Sequence, residues 1–159
     1  MENEKTILHL GCGPFIFEGF GYVNIDSKEE LRESGVFIMD VTKPLPYSDN
    51  SVDGIVSMHM VVELPWRQMI EHFKDCYRVL KPGGVLRIGV PHIDNGYPLG
   101  HLLGYGNINL FNEALLIKVL EQCRFTAYRV NFKETRSSHP EITVPDNRPE
   151  ESMFIESVK

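Results

Sequence analysis

Ile7-Leu8-His9-Leu10-Gly11-Cys12-Gly13-Pro14 is a short, mainly apolar run that breaks into a glycine-rich turn. A run of this length, bounded by Gly and Pro, reads as a buried strand with a loop at its carboxyl end. Working outward, Tyr22-Val23-Asn24-Ile25-Asp26 and Val36-Phe37-Ile38-Met39-Asp40 repeat the pattern, each ending in an aspartate. Val52 to Met58 and Val85 to Val90 are two further buried strands. Between them, Met69, Ile70, Phe73, Cys76, Tyr77 and Leu80 recur at three- and four-residue steps, which predicts a helix over 67–80. Lys81-Pro82-Gly83-Gly84 stops that helix and turns the chain.

The remaining segments are less regular. Ser27 reads as the N-cap of a short helix over 28–34 ended by Gly35. Residues 42–51, with two prolines, read as a loop. Residues 91–110 also read as a loop. Asn112 caps a helix that runs through Cys123 with Leu115, Leu116, Val119 and Leu120 inside. Phe125 to Phe132 and Met153 to Val158 are the last two strands. Between them, residues 133–151 are polar, hold three prolines and show no clear element.

Alternating strands and helices predict a parallel sheet with right-handed crossovers. Ligands of such sheets sit beyond the carboxyl ends of the strands. Four segments converge on that edge: Gly11-Cys12-Gly13, Asp26, Asp40 and Ser57-Met58-His59. A dinucleotide fingerprint fails because the third glycine position is Ile16, and no G-K-[ST] follows for a Walker-type phosphate site. A tight turn alone would also use Gly11 and Gly13, and Asp26 could equally cap the following helix.

At 159 residues, 42% hydrophobic and 24% charged, the chain fits one soluble domain over 1–159. A net charge of −6 speaks against a nucleic-acid backbone as partner. No apolar run reaches the roughly 18 residues of a membrane span, and the acidic start is unlike a secretory signal. Three cysteines without a C-x-x-C pair support neither disulfides nor a metal centre, so a reduced, cytoplasmic setting is expected.

Leu8 to Pro14, Asn24-Ile25-Asp26, the stretch from Asp40 through Pro44 to Asp53, and Tyr77-Arg78-Val79-Leu80-Lys81-Pro82-Gly83-Gly84-Val85-Leu86 together resemble class I S-adenosylmethionine-dependent methyltransferases, of the type 11 kind. The resemblance runs from about Ile7 to Pro91. It implies a Rossmann-like α/β fold with a seven-stranded, mostly parallel sheet in the order 3-2-1-4-5-7-6, the last strand antiparallel. It implies S-adenosylmethionine as cofactor, bound by Gly11, Cys12, Gly13, Asp26, Ser27, Asp40, Val41, Ser57 and Met58. Asp26 would hold the ribose hydroxyls and Asp40 the adenine amino group.

Two departures stand out. Only residues 11–21 join the first two strands, so the first helix is shortened or missing. Phe15, Phe17, Phe20 and Tyr22 would cover part of the bared sheet face, and a homodimer or a partner protein would cover the rest. After the fourth strand, His59 is retained but Val62-Glu63 replaces the family's Glu-His pair. His59, His92 and His101 lie in the loops where acceptors enter, and each is a candidate general base or simply a loop histidine. The expected activity is methyl transfer to a small polar acceptor such as a sugar or other metabolite. The alternative is a catalytically silent cofactor-binding or scaffold subunit on the same fold.

Overall fold

The computed structural model describes residues 5–94, 96 and 106–159. Seven strands form one sheet: β1 (Ile7–Leu10), β2 (Tyr22–Asp26), β3 (Phe37–Ile38), β4 (Val52–Met58), β5 (Leu80–Pro91), β6 (Thr126–Val130) and β7 (Ser152–Val158). Their order is β3-β2-β1-β4-β5-β7-β6, the one the resemblance implies. β1 to β5 run parallel, while β7 is antiparallel to both β5 and β6. Leu10 pairs with both Ile25 and Ser57, so β1, β2 and β4 end level with one another. That register places the loops after these strands on one edge.

Alternation along the strands sorts side chains onto two faces. On one face Leu8, Leu10, Ile55, Leu86, Ile88 and Ile155 pack under two helices, α1 (Trp66–Val79) and α2 (Glu113–Gln122). Met69, Phe73 and Cys76 are the buried stripe of α1, and Leu116, Val119 and Leu120 that of α2. Each such Leu or Phe contributes roughly 1.5–3 kcal/mol by leaving water. Asn112 caps α2 as expected, its Oδ1 accepting from the Leu115 amide at 2.9 Å. Leu115 is outside the core, at 42% exposed, because it faces away from the buried stripe.

Several local expectations shift. The helix over 28–34 is a 3-10 segment, Glu29–Ser34, and Ser27 does not cap it. Asp26 Oδ1 takes the Lys28 amide instead at 3.0 Å, an aspartate turn that outcompetes the serine cap. The third strand is two residues long, so Asp40 lies past its end in a turn. Leu80 leaves α1 and opens β5, and residues 81–84 form a local irregularity where the β4–β5 register jumps between Val52–Leu80 and Gly54–Val85.

The opposite sheet face is covered in part by the chain itself. Ile7, Val56, Met58, Val85, Val130 and Phe154 are buried there together with Ile142, which comes from the polar segment after β6. The chain thus folds residues 131–151 back as a strap over the face left by the missing helices. Arg87 of β5 anchors it, with its side chain fully buried. Its Nε and Nη2 donate to Asp146 Oδ1 and Oδ2 at 2.7 and 2.6 Å. Nη1 donates to Glu156 Oε1 at 2.7 Å and to the Glu134 carbonyl at 2.8 Å. Nη2 also reaches the Asn131 carbonyl at 3.2 Å. A buried guanidinium is tolerated only with such complete pairing. Of the expected aromatic cover, Phe17 stacks with His9 and Tyr22, whereas Phe15 and Phe20 stay exposed. The 11–21 connection is held by Asn24, whose side chain bonds both the amide and the carbonyl of Phe17.

Candidate functional site

The loop after β1 starts with Gly11 at φ 69° and Gly13 at φ 53°, a region that strongly favours glycine. The Gly11 and Cys12 amides both donate to the Ile25 carbonyl, at 2.9 and 3.1 Å. The Gly13 amide donates to Asp26 Oδ2 at 2.8 Å. A Cβ on Gly11 would collide with the Met60 side chain, whereas a Cβ on Gly13 would meet nothing within 4 Å. Gly13 therefore borders open space that even a small side chain would enter. Burial, and next the Asp26 charge, pushes the Cys12 thiol up to about 11, so it is no nucleophile at neutral pH.

That space is a cavity of about 280 Å³ at the carboxyl edge of the sheet. Gly11, Cys12 and Gly13 form its floor, and Asp26, Ser27 and Lys28 come from the end of β2. Asp40, Val41 and Thr42 come from the end of β3. Asp40 Oδ1 accepts the Thr42 hydroxyl and amide, which holds its carboxyl below the usual range and therefore charged. His72 of α1 steadies this turn through a 2.9 Å contact with the Val41 carbonyl. Both Asp26 oxygens already accept one backbone amide each, yet a carboxylate offers about four acceptor sites, so further bonds remain open to a ligand.

The fourth lining segment follows β4. Met58, His59 and Met60 line the cavity, joined by Glu63 of the 3-10 turn Val61–Glu63 and by Leu64 just after it. His59 sits at φ 60°, uncommon for a residue with a side chain, and its amide bonds the Gly89 carbonyl at 2.8 Å. Its Nε2 lies 2.9 Å from Ser152 Oγ. Burial first, then the positive Arg148, lowers the imidazole to about 4. The ring is thus neutral at pH 7 and can accept a proton. Burial and the neighbouring Asp26 raise the Glu63 carboxyl, with Lys28 opposing.

The last wall comes from the strap. Asn147 and Arg148 follow the anchored Asp146 directly and line the cavity. Arg148 is at φ 48°, and its carbonyl accepts the amides of Glu151 and Ser152.

Ser57 is placed apart from the cavity wall. It is fully buried within the sheet, and its Oγ has no hydrogen-bond partner among the described residues. His92 lies outside the cavity lining, 3.5 Å from Asp94. His101 falls outside the described residues. The sequence reading missed His9, Lys28, Glu63, Asn147 and Arg148 as lining residues. His9, Lys28 and Glu63 adjoin the quoted motifs and could have been found by adjacency. Asn147 and Arg148 carry no local signal.

Comparison with known proteins agrees with this geometry. Residues 22–88 match the family model described as a methyltransferase domain. A search of curated proteins finds no match. An S-adenosylmethionine-dependent methyltransferase from Archaeoglobus fulgidus superposes with a TM-score of 0.73 at 19% identity, over 98% of this chain and 86% of that one. A chain from the Haloferax volcanii complex between the Trm112 methyltransferase activator and a methyltransferase gives 0.73 at 16% identity, over 99% and 83%. A possible histamine N-methyltransferase from Thermotoga maritima gives 0.65 at 17% identity, over 99% and 83%. Residues 22–88 thus match a methyltransferase-domain model, and nearly the whole chain shares the fold of solved S-adenosylmethionine-dependent methyltransferases.

Proposed function

We propose that the protein transfers a methyl group from S-adenosylmethionine to a small polar metabolite. The observation that carries this reading is the single cavity into which Gly13, Asp26, Asp40 and His59 converge. The residues fit the cofactor: Gly13 leaves room for close backbone approach, and the carboxylates of Asp26 and Asp40 suit a ligand with hydroxyls, an amino group and a positive charge. When bound, S-adenosylmethionine supplies a sulfonium-activated methyl group for in-line displacement.

The chain's own part is positioning and proton handling. Asp26, held by its two backbone hydrogen bonds, would accept hydrogen bonds from the ribose hydroxyls. Asp40 and Val41 would meet the adenine end and Met58 would pack beside the cofactor, all three lining the cavity. Neutral His59 takes the proton that the acceptor's nucleophilic atom loses as the new bond forms. Its low basicity fits a proton that turns acidic only as the methyl arrives. Ser152 holds the ring in one orientation.

Calorimetry with S-adenosylmethionine and S-adenosylhomocysteine tests the cofactor assignment. Micromolar binding is expected, weakened about tenfold or more in Asp26→Ala. Absence of binding by both compounds would overturn it. A protein partner also belongs to the proposal. Its support is the exposed Phe15, Phe20 and Phe37 and the solved methyltransferase complex with an activator protein, while the strap covers much of the opposite sheet face. Sedimentation as a clean monomer, with no partner recovered by crosslinking in the source cell, would remove it.

A further inference from the structure

We infer that the acceptor end of the cavity binds an anionic oxygen-bearing group, a carboxylate or a phosphate, and that Arg148 is the residue that reads it. This rests on the methyltransferase reading above, because that reading makes the cavity's second end the acceptor's place.

The cavity carries charge of both signs. Asp26, Asp40 and Glu63 line it from the loops after β2, β3 and β4, with Lys28 two residues beyond Asp26. The strap adds Arg148 and the amide of Asn147. Arg148 is close enough to His59 to depress its protonation, so its charge is felt where the methyl must be received. Asn147 Oδ1 is a buried oxygen with no hydrogen-bond partner among the described residues. Oxygen and nitrogen of such an amide exchange by a simple flip, so this side chain can present either an acceptor or a donor to a ligand. A buried amide oxygen without a partner is costly, and a bound molecule would relieve that cost.

The wall is built rather than incidental. Asp146 is gripped through both oxygens by the buried Arg87, and its Oδ2 also takes the Lys133 amide at 2.8 Å. The next two residues are therefore delivered to the cavity by a fixed point. Arg148 also pairs with Glu151 at 3.4 Å. That pairing leaves the proposal intact, since one guanidinium can serve two carboxylates, as Arg87 does with Asp146 and Glu156. A carboxylate or phosphate is the group that a planar, forked cation recognises best.

The test is a two-dimensional NMR titration of the isotope-labelled protein saturated with S-adenosylhomocysteine. Sodium acetate and inorganic phosphate are the probes, glycerol is the neutral control, and ionic strength is held constant. Saturable shifts are expected at Arg148, Asn147 and the His59 ring with one or both anions and not with glycerol. Arg148→Gln should weaken the anion about tenfold or more while the protein keeps its melting temperature. Preference for acetate assigns a carboxylate-bearing acceptor, and preference for phosphate a phosphorylated one. Non-saturable shifts, or equal affinity in Arg148→Gln, overturn the proposal. If S-adenosylhomocysteine itself fails to bind, the methyltransferase reading fails, and the same titration on the free protein judges the anion site alone.

Discussion

Arg87 and Asp146 are joined by two parallel hydrogen bonds of 2.7 and 2.6 Å, with both side chains wholly buried. Arg87→Met would keep the volume but leave Asp146 and Glu156 as buried carboxylates without their cation. The expected loss is about 3–5 kcal/mol, a large share of a domain's stability. Urea denaturation of the variant checks this; a midpoint close to the parent's would show that the pair does not anchor the strap.

Acid should destabilise the fold over a defined window. His9 and His59 are both lowered from 6.5 to about 4, chiefly by burial, and buried His72 is lowered as well. Between pH 6.5 and 4 the unfolded chain therefore binds protons that the folded chain refuses. Stability is complete above about 6.5 and falls as the pH drops towards 4, at about 1.4 kcal/mol per unit of separation for each group. Denaturation midpoints at several pH values measure the slope. His59→Asn, which tolerates a left-handed backbone, should flatten it. An unchanged slope in that variant would count against the low His59 value.

The two glycines of the first loop should respond differently to alanine. Both need a positive φ, so each substitution carries backbone strain of about 1 kcal/mol or more. Gly11→Ala also meets Met60, so it should unfold at a clearly lower temperature. Gly13→Ala meets open space, so it should stay folded while its methyl occupies the room of a ligand. Melting curves with and without S-adenosylhomocysteine separate the two. A full ligand-induced rise in Gly13→Ala would contradict the placement.

Asn24 stands in for the missing first helix by bonding Phe17 at both its amide and carbonyl. Asn24→Ala should cost about 1–3 kcal/mol. Hydrogen exchange should quicken across residues 11–21 and leave α1 unaffected. Uniform exchange over the chain would mean that the residue acts globally.

The parallel strands and the glycine loop were legible because strands buried on both faces read as apolar runs ended by turn formers. Gly11, Gly13, Asp26 and Asp40 stand at those ends, and the structure brings them to one cavity. The strap was not legible. Its hold depends on Arg87 meeting Asp146 and Glu156, partners 59 and 69 residues away, and such pairs leave no local periodicity. Arg87 also sits within Val85 to Val90 as an apparent interruption of an apolar strand. Ser57 was placed correctly at a strand end, but its pleat turns the hydroxyl inward. The left-handed turn at His59 arises from its tie to Gly89, a contact between neighbouring strands.

The walls of the cavity have separate origins in the chain. Residues 9–64 supply the glycine and carboxylate side, and residues 147–148 supply the rest. The latter hang from one arginine in the sheet. On the proposed reading a change of acceptor falls on Asn147 and Arg148, while Ser152 and Glu156 beyond them stay fixed as partners of His59 and Arg87. Two residues of the strap are then the selector on an otherwise constant engine.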